Sequence, residues 1–212
     1  MRVQAKICGL STADTVAAAL RGGAEWLGFV MFPKSPRNVS PDQAAGLIAP
    51  VPAGVGKVAV LVDPEDDLIA RAIGAGVTVL QLHGHETPER VAALRQRFAI
   101  EIWKAVPVRS RADLAGAAAF RGAADRILYD AKTPDGAALP GGMGLRFDWT
   151  LLQGFDHPLP WALSGGLDAE NVADAVGITG ARLVDVSSGV ESAPGLKDVD
   201  KIAAFLQATA RL

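Results

Sequence analysis

The sequence predicts a single (β/α)8 barrel, a TIM-barrel fold, over residues 1–212, and three observations support this fold class. Short apolar runs rich in β-branched residues recur eight times along the 212 residues. Helical patterns separate these runs, and such strand–helix alternation indicates a parallel sheet with short connections. Eight units can close on themselves, which removes both edges of the sheet. A chain of this length can form such a barrel as one domain.

The main alternative is an open, doubly wound sheet. That fold often carries Gly-x-Gly-x-x-Gly in its first strand-to-helix turn, where it binds a dinucleotide. The turn after the first apolar run reads Cys8-Gly9-Leu10-Ser11 and lacks this pattern. The number and spacing of the strands therefore favour the barrel.

Several of the eight predicted strands are almost continuously apolar, as is typical of strands covered on both faces. Side chains two positions apart on a strand point the same way, so the residue order also predicts which of them face the barrel interior. The predicted strands cover residues 3–8, 26–31, 55–62, 77–82, 100–106, 126–130, 159–163 and 183–186.

Helices are predicted from apolar spacing and from start signals, in which a capping residue precedes proline at the first helical position. The sixth unit is irregular, because residues 131–146 are rich in glycine, proline and small side chains and predict a long loop before a short helix near Asp148. Long loops in compact domains are often functional. The start signals lie at Ser40-Pro41, Asp63-Pro64 and Thr87-Pro88, and further helical patterns cover residues 11–21, 168–176 and 198–206.

Composition excludes several classes of function. The 21 Lys and Arg residues against 23 Asp and Glu give a net charge of −2, and the absence of a basic run argues against nucleic-acid or membrane partners. Cys8 is the single cysteine, so we expect no disulfide and a reducing, cytoplasmic location. We expect no signal peptide, because residues 1–6 have no long apolar core, and no spanning helix, because no apolar run approaches about 18 residues. His83 and His85 lack further ligands at metal-site spacing, so no metal is expected.

Two residues at predicted strand ends are candidates for proton transfer. Barrel enzymes place their active sites at the carboxyl ends of the strands, and Cys8 ends the first strand while Asp130 ends the sixth. We expect them to face each other across the mouth, where a thiol and a carboxylic acid suit acid–base catalysis without a cofactor. The alternatives are a buried apolar role for Cys8 and a loop-capping role for Asp130.

Each of these two roles requires a shifted pKa. An aspartic acid with an ordinary pKa of about 3.9 must be raised to act as an acid, and a cysteine near about 8.5 must be lowered to act as a base. Lys6 shares a face with Cys8 because the two are separated by one residue. We therefore hypothesise that the Lys6 ammonium favours the Cys8 thiolate.

A phosphate site is predicted after strands seven and eight. Gly165 and Gly166 follow the seventh strand and lead into a predicted helix, while Ser188 and Gly189 follow the eighth. Small residues let backbone N–H groups approach an anion closely, and a helix N-terminus adds a favourable dipole. Barrels often bind phosphate at this place. The alternative is two tight turns that simply require glycine.

Six segments in order between residues 3 and 191 carry a resemblance to a known family, the phosphoribosylanthranilate isomerases of tryptophan biosynthesis. Asn38 stands where this family often has an aromatic residue and Met143 where it often has threonine, and both departures affect only loop contacts. The resembling segments are Lys6-Ile7-Cys8-Gly9-Leu10, Gly28-Phe29 with Phe32-Pro33-Lys34-Ser35-Pro36-Arg37, Val79-Leu80-Gln81-Leu82-His83-Gly84, Asp130 with Gly141-Gly142-Met143-Gly144 and Phe147-Asp148-Trp149, Leu163-Ser164-Gly165-Gly166-Leu167, and Val184-Asp185-Val186-Ser187-Ser188-Gly189-Val190-Glu191.

The resemblance implies an Amadori rearrangement of N-(5-phosphoribosyl)anthranilate to 1-(2-carboxyphenylamino)-1-deoxy-ribulose 5-phosphate. It implies that Asp130 is the general acid for the furanose ring oxygen and that Cys8 is the base that removes the C2 proton. Arg37 would pair with the anthranilate carboxylate, for which a guanidinium fork is well shaped. His83 would line the pocket or be a structural histidine bonded to backbone, and Asp185 would hydrogen-bond the substrate or anchor the phosphate loop. The partner is a small phosphosugar, no cofactor is implied, and monomer and homodimer both stay open.

Other functions remain as alternatives. A pentose-phosphate epimerase would need a metal with paired histidines and carboxylates, and indole-glycerol-phosphate synthase would need lysine and glutamate where Cys8 and Asp130 stand. A barrel that only binds phosphorylated ligands, or that uses Cys8 as a redox sensor, is the alternative outside enzymes.

Overall fold

Eight parallel strands form a closed barrel in the computed structural model, which describes residues 2–134 and 141–212. Each strand pairs with the next, and the eighth pairs with the first in register from Gln4 with Leu183 to Ile7 with Val186. The predicted barrel is therefore confirmed. The strands are β1 Gln4–Cys8, β2 Trp26–Val30, β3 Gly56–Leu61, β4 Val79–Leu82, β5 Glu101–Val108, β6 Arg126–Ala131, β7 Trp161–Leu163 and β8 Leu183–Val186.

Helices follow most of the strands on the outside of the barrel. Within the described residues the sixth unit has only a short 3-10 helix, Trp149–Leu152, after its long loop, as the sequence predicted. Part of that loop, residues 135–140, lies outside the described residues. None of the described helices is long and apolar enough to cross a membrane. The α-helices are α1 Ala13–Arg21, α2 Pro41–Ile48, α3 Asp66–Gly74, α4 Pro88–Phe98, α5 Arg111–Ala115, α6 Val172–Thr179 and α7 Val199–Thr209.

Two of the predicted helix starts are correct. Ser40 caps α2 through a reciprocal capping box with Gln43, and the Thr87 hydroxyl accepts the Arg90 N–H at the start of α4. Proline stands at the first position of both helices, where its missing N–H costs nothing.

Two other helix starts are wrong. The signal at Asp63 precedes α3 by three residues, because the Asp63 carboxylate accepts the His85 N–H of the next loop at 2.6 Å and does not cap a helix. The pattern from Asp168 also begins too early, since its carboxylate closes a turn by accepting the N–H groups of Glu170 and Asn171. In both cases a tertiary or turn contact takes the oxygen that a helix cap would use.

The barrel interior changes from apolar to polar along the strands. Trp103 and Trp26 meet edge to face at 4.8 Å between ring centroids in the apolar floor. Towards the carboxyl ends of β4, β6 and β8 the inward side chains are polar and buried. Successive inward positions show this change at Val79 and Gln81, Leu128 and Asp130, and Leu183 and Asp185.

A short antiparallel hairpin follows the eighth strand. After a 3-10 turn at Ser188–Val190 the chain forms β9, Glu191–Ala193, and β10, Leu196–Lys197. This hairpin leads directly into α7. It lies beside the carboxyl end of β8, where Lys197 Nζ donates to Ser187 O at 2.8 Å.

Candidate active site

A cavity opens at the carboxyl ends of the barrel strands, where the sequence predicted the active site. The empty space within it, counted out into open solvent at its mouth, is about 820 Å³. Asp63, Arg109 and Lys132 also follow strands but do not line it. The predicted site residues that line it are Cys8, Arg37, His83, Asp130, Gly165, Gly166, Asp185 and Ser188.

Cys8 stands beside a buried ion pair. Lys6 Nζ donates to Asp185 Oδ1 at 2.8 Å, and the Ser164 hydroxyl donates to Asp185 Oδ2 at 3.2 Å. Both oxygens of Asp185 therefore have partners within the protein, which favours the anchoring role among the two predicted for it. Gly28 leaves room for this arrangement, because a β-carbon there would lie 3.0 Å from Cys8 Sγ and 3.1 Å from Lys6 Nζ.

The pKa of Cys8 differs in direction from the sequence-based expectation. Burial raises the pKa of the thiol, and the charges of Lys6 and Lys197 lower it only in part. The expected effect of Lys6 is present, but desolvation outweighs it. Burial would lower the pKa of Lys6, but Asp185 and Cys8 raise it above its ordinary value, so Lys6 is an ammonium.

Asp130 lies in a second polar cluster on the same cavity. Its Oδ1 accepts the backbone N–H of Ala131 at 2.9 Å, and its Oδ2 is 3.3 Å from His83 Nε2. His83 Nδ1 is in turn 3.2 Å from Gln81 Nε2. A chain from the amide through the imidazole to the carboxyl group can hold Asp130 in one orientation and exchange a proton with it.

Two glycines let the backbone approach Asp130 closely. A β-carbon at Gly141 would lie 2.8 Å from both Asp130 Oδ2 and His83 Nε2. Gly165, with φ of +91°, would place a β-carbon 2.8 Å from Ala131 N and 3.1 Å from Asp130 Oδ1. The turn after β7 therefore packs directly on the carboxyl group that ends β6.

Arg37 is buried on the cavity wall, but the predicted use of its fork requires a correction. Its Nε and Nη2 donate to the two oxygens of Glu191 at 2.6 and 2.7 Å, and Nη2 also donates to Gly142 O at 3.0 Å. The bidentate edge is thus occupied by a protein carboxylate. Nη1 has no hydrogen-bond partner among the described residues, so this corner of the guanidinium is the one left for a ligand carboxylate.

Glu191 connects Arg37 to a second buried cation. Lys197 Nζ donates to Glu191 Oε1 at 2.7 Å, to Ser187 O at 2.8 Å and to Ser187 Oγ at 3.2 Å. Burial raises the pKa of Glu191, but hydrogen bonds from Arg37 and Lys197 outweigh this and lower it. Burial lowers the pKa of Lys197, and Glu191 opposes that shift.

The sequence analysis missed Glu191 and Lys197 as parts of the site. Glu191 closes the last of the resembling segments, and Lys197 follows six residues later. A pair of opposite charges just after the predicted phosphate turn was the available signal. The same two charges would be expected in a solvent-exposed loop, because the apolar pattern of the sequence does not reveal the hairpin that buries both side chains.

The two predicted phosphate turns lie side by side at one end of the cavity. Gly189 is not among the residues that line the cavity; it packs against the Leu167 carbonyl, where a β-carbon would not fit. Among the described residues, no acceptor contacts the backbone N–H groups of Gly166, Ser188 or Gly189. Unpaired N–H groups in adjacent turns form a site for an anion. The helix dipole expected there is displaced, since α6 begins only at Val172.

The two histidines that could form a chelate point apart. The His83 side chain is 14% exposed and faces Asp130, whereas that of His85 is 95% exposed and contacts Asp63. No cluster of three or more His, Cys, Asp and Glu side chains suited to a metal occurs within residues 2–134 and 141–212.

The cavity therefore joins an anion site, a thiol, a carboxyl group and a guanidinium. A sugar phosphate held by the turns after β7 and β8 would extend between Cys8 and Asp130, and its far end would reach towards Arg37. Such a placement suits proton transfer at adjacent positions of one sugar.

The chain is similar to known proteins over almost its whole length. The family model of N-(5'-phosphoribosyl)anthranilate (PRA) isomerase matches residues 5–208. The N-(5'-phosphoribosyl)anthranilate isomerase of Zymomonas mobilis subsp. mobilis is 61% identical over 209 residues, which cover 98% of each chain.

Solved structures show the same similarity. Phosphoribosyl anthranilate isomerase from Thermotoga maritima superposes with a TM-score of 0.89 at 35% identity, over 99% of this chain and 100% of the other. A phosphoribosyl anthranilate isomerase in complex with reduced 1-(o-carboxyphenylamino)-1-deoxyribulose 5-phosphate gives a TM-score of 0.86 at 33% identity, with the same coverage. The chain therefore belongs to the N-(5'-phosphoribosyl)anthranilate isomerase family.

Proposed function

We propose that this chain catalyses the Amadori rearrangement of N-(5-phosphoribosyl)anthranilate by general acid–base catalysis, with Asp130 as the acid and Cys8 as the base. The observation that carries this proposal is that both side chains line one cavity, each beside its own polar cluster. Both steps are proton transfers that these two groups can perform.

The first step is opening of the furanose ring. Asp130 donates its proton to the ring oxygen while the C1–O bond breaks, and the anthranilate nitrogen supplies the electron pair that forms the Schiff base. His83, 3.3 Å from Asp130 Oδ2, orients the carboxyl group and can return a proton to it after each turnover. Asp130 must be protonated at the start of this step.

The second step is removal of the C2 proton. The Cys8 thiolate takes this proton, the electron pair moves towards the iminium nitrogen, and the resulting enolamine then becomes the ketone. Burial disfavours the thiolate, so the positive charges of Lys6 and Lys197 are needed to make it accessible. The protonated Schiff base adds a third positive charge close to Cys8 at the moment when the base acts.

The remaining contacts hold the two ends of the substrate. The backbone N–H groups of Gly165, Gly166, Ser188 and Gly189 bind the phosphate, and Arg37 binds the anthranilate carboxylate through its free corner. Asp185 acts by holding Lys6 beside Cys8. A single cysteine that stays a free thiol suits the reducing cytoplasm. One family match over residues 5–208 supports a single domain. The protein acts as a monomer or homodimer.

The test is turnover of freshly made substrate. Anthranilate fluorescence decays as the rearrangement proceeds, so the rate can be read directly from Cys8→Ser, Asp130→Asn and the unmodified protein. Removal of a positioned acid or base costs about 10²–10⁴-fold, and we expect losses in kcat of this order for both variants. Full turnover in both would refute the acid–base assignment. A pure binding barrel would show no decay even for the unmodified protein.

A further inference from the structure

Three charged side chains beside the cavity are buried together, and of the three the proton transfers use only the charge of Lys197. The side chains of Arg37, Glu191 and Lys197 are 6%, 4% and 1% exposed. Burying an ion costs several kcal/mol even when it is paired, so such a cluster is weak evidence of a stabilising role. A role in the chemistry of the site is the better explanation for its presence.

The charges of this cluster do not cancel. Glu191 alone would neutralise Arg37, because the two form a bidentate pair at 2.6 and 2.7 Å. Lys197 contacts the same carboxylate at 2.7 Å, so two cations share one anion and one net positive charge remains. This charge lies at the cavity wall, because Arg37 lines the cavity while Glu191 and Lys197 do not.

Lys197 cannot deliver its charge by direct contact with a ligand. Its ammonium has three N–H donors, and the three acceptors within reach are Glu191 Oε1, Ser187 O and Ser187 Oγ. Its effect on a bound carboxylate must therefore pass through Glu191, whose negative charge it offsets, to the Nη1 corner of Arg37.

The hairpin that carries Glu191 and Lys197 is fixed at both of its own ends by contacts with residues near the cavity. At one end, Gly195 packs on Pro36, where a β-carbon would lie 2.6 Å from the Pro36 carbonyl oxygen. At the other, Lys197 holds Ser187, the residue before the second phosphate turn. One element of five ordered strand residues thus sets the position of Arg37 relative to the anion site.

We propose that Glu191 and Lys197 are positioning residues. Glu191 orients Arg37, and Lys197 offsets the charge of Glu191, so that the cluster keeps a net positive charge for the carboxylate of the substrate. The β9–β10 hairpin is then the element that selects an acidic aromatic amine over a neutral one. This inference rests on the proposed function, since it assigns the carboxylate specificity of that same site.

The experiment compares two ligands that differ only in the carboxylate. The probes are the reduced product analogue with its o-carboxyphenyl ring and the matching analogue with a phenyl ring, and calorimetry gives the affinity of each. We expect Lys197→Met to weaken binding of the carboxylated analogue about tenfold or more, since it leaves a buried charge pair without its balancing cation. The phenyl analogue should be affected little, so the preference between the two analogues reports on Arg37 separately from kcat, which should also fall because Lys197 helps to lower the pKa of Cys8.

A double variant tests the charge balance directly. Glu191→Gln with Lys197→Met removes one charge of each sign, so the net charge beside the cavity returns to its original value. We expect the preference for the carboxylated analogue to recover relative to Lys197→Met alone. A merely structural role would predict a double variant no better than the single one, because the contact of Arg37 with Glu191 is then weakened as well.

Two controls separate this inference from folding defects. Lys201→Met is matched, because Lys201 donates to the main-chain oxygen of Glu191 at 2.7 Å and not to its carboxylate, and it should leave the preference unchanged. Lys197→Arg should retain the preference. If Lys197→Met does not fold, Lys197→Gln carries the test, since it removes the positive charge, keeps a polar side chain and leaves the Arg37–Glu191 pair in place.

The outcomes distinguish this inference from the proposed function. Equal weakening of both analogues by Lys197→Met, or no loss of preference in the variant, would overturn the role of the hairpin. Loss of the preference in the double variant would do the same. Absence of substrate turnover in the unmodified protein would instead refute the proposed function, and the binding measurements would still report on the hairpin.

Discussion

The chemistry of Cys8 depends on two opposing effects of its surroundings. Burial raises the pKa of the thiol, and the ammonium groups of Lys6 and Lys197 lower it. The resting group is therefore a thiol, and the positive charges decide how easily it becomes a thiolate. A base of this kind suits a site in which substrate binding and Schiff-base formation complete its activation.

Replacement of Lys6 tests this balance. Lys6→Met removes the positive charge beside Cys8, so we expect the thiol pKa to rise further and alkylation by iodoacetamide at pH 8 to slow. The change also leaves Asp185 buried without its cation, which costs about 3–5 kcal/mol of unfolding free energy. Alkylation rates across a pH series and urea unfolding measure the two effects.

A matched lysine separates charge from stability. Lys104 is buried on β5, contacts Glu86 at 3.1 Å and does not line the cavity. Lys104→Met should therefore lose a similar amount of stability while the alkylation profile of Cys8 stays unchanged. An identical thiol pKa in Lys6→Met and the unmodified protein would contradict the account.

Replacement of Gly28 tests the close approach of the thiol and the ammonium. A β-carbon there would lie 3.0 Å from Cys8 Sγ and 3.1 Å from Lys6 Nζ. Gly28→Ala must displace one of them, so we expect about a tenfold loss in kcat and about 1–3 kcal/mol of destabilisation. Gly46→Ala is the control, because Gly46 in α2 has no atom within 4 Å of the new carbon. Equal kcat in the two variants would argue against the prediction.

At the scale of elements, the turn after β7 serves both the anion site and the general acid. Gly165 has φ of +91°, and its backbone contacts Ala131 and Asp130 at the end of β6. The phosphate site and the proton donor are therefore parts of one packed unit, and a change in this turn should affect both.

The prediction for this turn uses two glycines with similar backbone conformations. Gly165→Ala and Gly122→Ala each place a side chain at positive φ, +91° and +82°, and each should cost about 1–2 kcal/mol of stability. Only Gly165→Ala adds a contact with Asp130, so it alone should lower kcat and weaken inhibition by inorganic phosphate. Steady-state kinetics with phosphate as inhibitor checks this, and parallel behaviour of the two variants would contradict it.

Features that depend on local sequence could be predicted, whereas contacts between distant residues could not. Strand periodicity placed Lys6 with Cys8 and Gln81 with His83, because alternation along a strand is a local property. The helix starts at Asp63 and Asp168 failed, because their carboxylates are used by contacts that no local pattern reveals. The pairing of Arg37 with Glu191 was missed for the same reason, since the two are 154 residues apart.

At the scale of the whole molecule, barrel closure assembles the site. Lys6 and Asp185 are 179 residues apart, and they meet only because β1 pairs with β8. The apolar side chains around Trp103 pack one end of the barrel interior, and polar side chains at the carboxyl ends of the strands form the candidate active site. The fold class was predictable from eight repeated units, whereas the direction of the Cys8 pKa depends on total burial and was not.

The stability of the molecule should depend on pH through His157. Burial lowers its pKa below the ordinary value of 6.5, and it is 3.3 Å from the Tyr129 hydroxyl. The unfolded chain therefore binds a proton at a pH where the folded protein does not, so the free energy of unfolding should fall as the pH drops through about 6.5. Urea unfolding between pH 5 and 8 measures this.

The variant His157→Gln provides the control for that dependence. It removes the titrating group while it keeps a polar side chain near Tyr129, so its stability should change less between pH 8 and pH 5 than that of the unmodified protein. An equal change in both proteins would assign the pH dependence to other groups.

The most direct test of the central claim is a crystal structure with the reduced product analogue bound. The account predicts the phosphate at the N–H groups of Gly166, Ser188 and Gly189, and the sugar carbon chain between Cys8 Sγ and the Asp130 carboxyl group. A phosphate bound elsewhere, or a sugar whose C2 lies out of reach of Cys8, would contradict it.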